Sequence, residues 1–352
     1  MRKHLFIICF MAFTMFLPAQ IAAQHRHSLF QRLDSLLDVR DMRTKLDTNY
    51  VSRPDKHWNL RLINNISGNN FNLRVVDNIF DSKYVFYFRF KDPLRHTMTL
   101  SANYRGLAVS FAFNPASMFG KKTSTEINVN SYGNHFGLDF LYESNGKFEG
   151  KIEADGEDFE LASIVREKSL TVNAYYAFNG KKFSYPAAFS QSYLQKRSAG
   201  SLMAGLSYNR GSVSVIDDGE PDSQLYGSEE GDPDSDSYDP NDVEKIKMSY
   251  ASIGLGYGYN FVPNRKWLFH ISTLPSIVFW RENKLIKTIG VEMLKATFPE
   301  ITIVARGSIV HYFKHFFMGL TMVYNYTSAG DYEFIRLSHN KWRARLILGK
   351  RF

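Results

Sequence analysis

Cysteine is almost absent: the sole one, Cys9, sits in an N-terminal apolar stretch with no lipobox of small residues before it. That sets aside a disulfide framework, thiol catalysis and a lipoprotein anchor. Beyond residue 23 no apolar run reaches the ~20 residues that a membrane-crossing helix needs. Lys and Arg exceed Asp and Glu, 43 to 35. They form no basic stripe interleaved with aromatics, so no nucleic-acid partner is expected. The histidines His96, His135 and His270 are scattered, and only His311 and His315 approach a ligand spacing. Those two flank a tight turn and read as rim residues. Gly254, Gly256 and Gly258 alternate with Leu255, Tyr257 and Tyr259. A phosphate loop needs a strand–turn–helix setting, which is missing here, so the glycines read as places where something approaches the wall. No cofactor and no catalytic residue is expected.

What is present begins with MRKHLFIICFMAFTMFLPAQIAAQ. Arg2 and Lys3 precede an apolar core, Leu5 to Leu17, and small residues follow at Ala22 and Ala23. This is the make-up of a secretory signal peptide, residues 1–23. Without Arg2 and Lys3 the chain keeps 41 basic residues against 35 acidic ones. The excess fits contact with acidic lipid headgroups and a basic interior. An exported chain that crosses a membrane without apolar helices must do so as a closed barrel, because lipid offers no partners to free backbone groups.

The other end agrees. In Asn340 to Phe352, NKWRARLILGKRF, the residues Trp342, Ala344, Leu346, Leu348 and Phe352 share one face, and Arg343, Arg345, Gly349 and Arg351 share the other. One face suits lipid and one a polar bore. The closing aromatic resembles the terminal strand of bacterial outer-membrane barrels, although Lys350 stands where an apolar residue is usual.

Between the ends, residues 24–57 read as a periplasmic leader with a short amphipathic helix, from Leu29, Phe30, Leu33, Leu36 and Leu37. Twelve strands follow over 58–352: Trp58–Ser67, His96–Tyr104, Leu107–Asn114, Lys122–Tyr132, His135–Glu143, Glu167–Phe178, Ser198–Arg210, Ile246–Asn260, Lys266–Arg281, Ile301–His311, Phe316–Thr327 and Lys341–Phe352. Tyr84–Phe90 alternates as well, so ten to fourteen strands are acceptable. Tight turns at Arg105-Gly106, Gly133-Asn134, Val262–Arg265 and Tyr312–Lys314 alternate with long links. Loop lengths sorted by parity mark an up-and-down, antiparallel, all-β transmembrane barrel with its short turns in the periplasm. One link breaks the parity: Asn179–Arg197, NGKKFSYPAAFSQSYLQKR.

Three segments resemble a known family: DTNYV at Asp47–Val51, YGNHFGLDFLYE at Tyr132–Glu143, and NAYYAFNGKKFSYPAAFSQSYLQKRSAGS at Asn173–Ser201. They are similar to a family of outer-membrane barrels of unknown function common in the Bacteroides group. The resemblance implies fold and a bacterial outer-membrane location for the whole mature chain, and marks the long link as a family feature. It implies no substrate and no catalytic residue.

Alternation puts Arg61, Arg306, Arg343 and Arg345 inside, with Glu126 and Asp139 as the clear acids. The arginines suit an anion-selective ring, or they pair with the acids and fill a narrow bore. In the long link, Phe183, Tyr185, Pro186, Phe189 and Tyr193 suit a plug or a partner dock, or else a strand extension with a structured turn. Asp217–Glu244 carries twelve carboxylates and no Lys or Arg, as a solvated extracellular loop would. Its Asp232, Asp234 and Asp236 start like a calcium loop, but Ser237 and Val243 stand where the glycine and the bidentate Glu belong. Tyr142-Glu143-Ser144-Asn145-Gly146 is similar to the His-x-Ser-Asn core of outer-membrane lipid-cleaving enzymes, with Tyr142 in place of the basic imidazole; as an alternative it is a Ser-Asn-Gly turn capping a strand.

The expected function is a porin-like channel or an envelope transport or assembly component. The alternatives are a closed scaffold that binds a protein or glycan partner and, more remotely, a lipid-modifying enzyme. Expected partners are outer-membrane lipid and lipopolysaccharide, the barrel-assembly machinery and a periplasmic ligand of the long link.

Overall fold

The computed structural model describes residues 31, 35, 36, 45–79, 82–91, 94–113, 125–146, 149–154, 157–161, 164–216, 243–287, 290–293, 300–331 and 335–352. The signal segment, most of the leader helix and the acidic loop with Asp232, Asp234 and Asp236 lie outside the described residues. Gln31, Ser35 and Leu36 are helical, and no described helix is long and apolar enough to cross a membrane.

Twelve antiparallel strands close into a barrel. They are β1 (Trp58–Ile79), β2 (Arg95–Tyr104), β3 (Leu107–Phe113), β4 (Thr125–Tyr132), β5 (Phe136–Gly146) and β6 (Ile164–Ala177). The second half is β7 (Ala199–Ile216), β8 (Val243–Asn264), β9 (Trp267–Lys287), β10 (Ile301–Tyr312), β11 (Phe316–Asp331) and β12 (Ile335–Arg351). Each pairs with the next, and β12 pairs with β1 from Arg351↔Asn59 up to Ile335↔Val75. No ladder edge is left open around the ring, which hydrocarbon requires. Several strands run well past the ~10 residues that a tilted crossing needs: β1 has 22 residues and β9 has 21.

The strand at Ser82–Lys91 is real but stands outside the ring. It pairs with the upper half of β1, Asn70–Ile79, on the same edge that β2 uses lower down. Glu149–Ala154 and Glu157–Leu161 add to its far side. The uncertain strand count is thereby resolved: the extra strands extend the sheet above the wall.

Side chains obey a period of two. On β2, Leu100 is exposed while Thr99, Ser101 and Asn103 are buried. On β11, Phe316, Met318, Leu320 and Met322 are exposed while Phe317 and Thr321 are buried. The outward residues make an apolar band around the wall. Aromatic residues gather at the rim that holds both strand ends: Trp58, Tyr104, Phe136, Phe178, Phe261, Trp267, Phe316 and Phe352. Trp58 packs on Tyr104 with ring centroids 4.6 Å apart. A wall that is oily outside, polar inside and girdled by aromatics is built for a bilayer.

Candidate functional site: a segment folded into the bore

The apolar core of this molecule lies inside the barrel. One cluster gathers Val51, Ile63, Ala187, Ala188, Tyr193, Leu268, Val310, Tyr312, Phe317 and Ile347. The other gathers Tyr132, Tyr175, Ala177, Phe183, Tyr185, Ala199 and Met203. Both are centred on the link between β6 and β7, which folds back into the bore.

Its local structure follows from its residues. Asn179 makes the entry turn: its carbonyl accepts from Lys182 and Phe183 at 3.0 and 2.9 Å, and its side-chain amide donates to Gly200. Gly180 is required because a Cβ there would lie 2.7 Å from the Asn134 carbonyl. A short helix α1, Tyr185–Phe189, has Pro186 in its first turn, with the Ser184 hydroxyl accepting from Ala187 N–H at 3.3 Å. It ends where Gln191 turns left-handed at φ 52°. Five residues cannot hold a helix alone; the wall holds it.

Side chains from five strands and the turn after β4 reach the segment. The Arg61 guanidinium on β1 donates to the Phe189 carbonyl at 3.1 Å. Asn59 reaches the Ser190 carbonyl, and Asn260 on β8 the Ser184 carbonyl. From β10, the hydroxyls of Ser308 and Tyr312 donate to the carbonyls of Ala188 and Ala187. Arg351 on β12 donates to the Gln191 carbonyl. On β9, His270 stacks edge-on against Tyr185 and Phe189. Ser184 donates to Asn134 beyond the end of β4, and Gly258 on β8 meets Phe183 closely.

The leader fastens the segment from below. Val51–Ser52 pairs antiparallel with Leu194–Gln195. Gln195 binds the carbonyls of Lys182 and Arg197, and its own side-chain oxygen accepts from Ser184 N–H and Asn260. Lys182 and Arg197 lie over the Tyr50 ring at 5.1 and 6.0 Å. The three segments that carry the family resemblance therefore meet in one place.

The charged residues singled out by alternation fall as follows. Arg306 pairs with Asp139 at 3.5 Å and donates to the Tyr185 hydroxyl at 2.6 Å. Tyr132 donates to the other Asp139 oxygen. Arg343 is joined by Lys341 on a single carboxylate, Glu143. Arg345 shares a cavity with Arg61 and Arg306. Glu126 contributes its backbone to β4, opposite Ala112 and Glu143. Glu143 was missed, although it has the same parity as Asp139 four residues before it. The sequence reading ends this strand at Glu143 with a Ser-Asn-Gly turn capping it, whereas β5 continues through Gly146, with Ser144 opposite Lys168 and Thr125. Phe183, Tyr185, Pro186 and Tyr193 are buried and Phe189 is half-buried. The Tyr185 hydroxyl is pushed up to about 12 by burial. Among the described residues no cluster of His, Cys, Asp or Glu could hold a metal ion.

A family model described as a domain of unknown function, DUF4421, matches residues 45–352. No curated protein matches the sequence. The chain is similar in fold to the outer membrane protein OprG from Pseudomonas aeruginosa, with 8% identity over 84% of this chain and 97% of that one, TM-score 0.28. It is also similar to the translocator domain of autotransporter NalP from Neisseria meningitidis: 10% identity, 95% and 100% covered, TM-score 0.32. The P. putida toluene transporter TodX shares 9% identity over 85% and 91%, TM-score 0.32. The location follows from the wall itself: a closed antiparallel barrel with an apolar outer band belongs in the bacterial outer membrane.

Proposed function

The chain belongs to the DUF4421 family, and from that premise we propose that it is an outer-membrane pathway for small hydrophilic solutes, closed at its periplasmic end by residues 179–197. One observation carries the reading: the hydrogen bonds that fasten the segment to the wall go mainly to its backbone carbonyls, from Asn59, Arg61, Asn260, Ser308, Tyr312 and Arg351. Water can replace such bonds at modest net cost.

Planar-bilayer recording tests this. Wild type is expected to be nearly silent, and a variant with 180–196 replaced by a short Gly-Asn turn to show steady conductance. A folded deletion variant as silent as wild type overturns the pathway.

A second reading, a closed scaffold for a periplasmic protein or glycan, is favoured by the exposed cations Lys181, Lys182, Lys196 and Arg197 around Tyr50. A photocrosslinker at Lys182 is the right probe, because Tyr185 is buried inside the bore. Further partners in this proposal are outer-membrane phospholipid, lipopolysaccharide on the long-loop side, and the assembly machinery through Phe352. A Bacteroides-group origin fits the motif segments.

A further inference from the structure

Directly above the inserted segment the bore holds a cavity of about 50 Å³. Phe189 forms part of its floor, Arg61, Arg306 and Arg345 reach it from three strands, and Asn65, Thr99 and Thr321 add polar walls. At ~10–15 Å³ of such volume per water, it has room for about three to five waters, the bulk of one small oxyanion.

Arg61 is 5% exposed, and its hydrogen bonds go to neutral oxygens, the Phe189 carbonyl and the Ser101 hydroxyl at 2.7 Å. Its Nε makes no hydrogen bond. A buried guanidinium with neutral partners and an idle N–H is costly unless a counter-charge arrives. Arg306 has its own acid, Asp139, and two aromatic rings, Tyr185 and Phe189, that hold its guanidinium in place. Planar guanidinium forks match the oxygen spacing of phosphate and carboxylate better than any other side chain does.

We propose that this cavity is a binding site for a small oxyanion, inorganic phosphate or a carboxylate of similar size, held by Arg61, Arg306 and Arg345 above the inserted segment. The site rests on the pathway reading for its purpose and names the solute class. Its position also couples ligand and closure: Arg61 lines the site while one of its nitrogens holds the Phe189 carbonyl and another the Ser101 hydroxyl, which leaves Nε idle. An arriving anion competes for the bond that fastens α1. The cavity has no room for a lipid, so the ligand is the free anion.

The test is calorimetric titration of purified wild-type barrel in detergent with inorganic phosphate, at constant ionic strength against chloride. One saturable phosphate per chain is expected, with sulfate competing. Arg345→Gln, which leaves the Phe189 contact intact, should weaken binding about tenfold, the worth of one charge-assisted hydrogen bond, and Arg345→Lys should recover part of it. Arg61→Gln provides the second variant, with folding of each checked by heat-modifiable migration. Absence of saturable binding to wild type, or unchanged affinity in both glutamine variants, overturns the site. Conductance is a separate readout: a phosphate-binding barrel that stays silent after deletion of 180–196 overturns the pathway and leaves the site standing.

Discussion

Glu143 is 2% exposed and carries both Lys341 and Arg343, so one carboxylate pairs with two cations inside the wall. Among the described residues Asp139 pairs with one cation, Arg306, with the Tyr132 hydroxyl on its other oxygen. Removing a shared buried partner costs roughly 3–5 kcal/mol. Glu143→Gln is therefore expected to destabilise the barrel more than Asp139→Asn, measured as urea midpoints in lipid vesicles. Tyr185 behaves differently because its hydroxyl is neutral. Burial raises it from 10.0 to about 12. A raised value means that its contribution is complete below pH 10 and is lost as pH rises through about 12. Tyrosinate absorbance, wild type minus Tyr185→Phe, should show no titration of this residue until above pH 10, and the closed state should hold throughout the neutral range.

Strands pair here with a recurrent device. Gly349 lies opposite Phe317, Gly137 opposite Tyr175 and Gly68 opposite Trp342, and in each case the ring covers the space where a Cβ would stand. Cross-strand aromatic cover of glycine fixes register without a second side chain, inside the bore for Phe317 and Tyr175 and on the outer face for Trp342. Gly349→Ala drives a methyl group into the Phe317 ring and is expected to cost ~1–3 kcal/mol as overpacking. The β2–β3 turn has Arg105 at φ 51° and Gly106 at φ 93°, a left-handed pair that suits a two-residue hairpin. Gly106→Ala should lose about 1 kcal/mol, visible as a lowered urea midpoint, because the new side chain must adopt that strained backbone.

The whole molecule is polarised. Its short turns carry Arg105, Arg265, Lys266 and Lys314 at the rim that holds the inserted segment, with Lys350 near the end of β12, while the sequence between β7 and β8 carries eleven carboxylates. The expected orientation, with the tight turns in the periplasm, puts the end of β7 and the start of β8 on the outer side. Since Cys9 is the only native cysteine, single-cysteine labelling reads the orientation cleanly. Ser228→Cys should react with an impermeant maleimide on intact cells. Lys181→Cys should react only once the outer membrane is permeabilised.

The wall was legible in the sequence because a period-two pattern is local: each strand writes its own lipid face, and the parity of loop lengths counts the strands. The tight turns and the closing strand were readable for the same reason. Strand ends were less so. β1 and β8 continue beyond the bilayer, where no lipid enforces alternation, and the strand at Ser82–Lys91 alternates without joining the ring. Only the tertiary structure decided what the bore contains. Tyr185 meets Arg306 across 121 residues, and Glu143 meets Arg343 across 200. Such partners are chosen by barrel closure, which sets strands face to face across the bore that share no hydrogen bond and leave no trace in each other's local pattern.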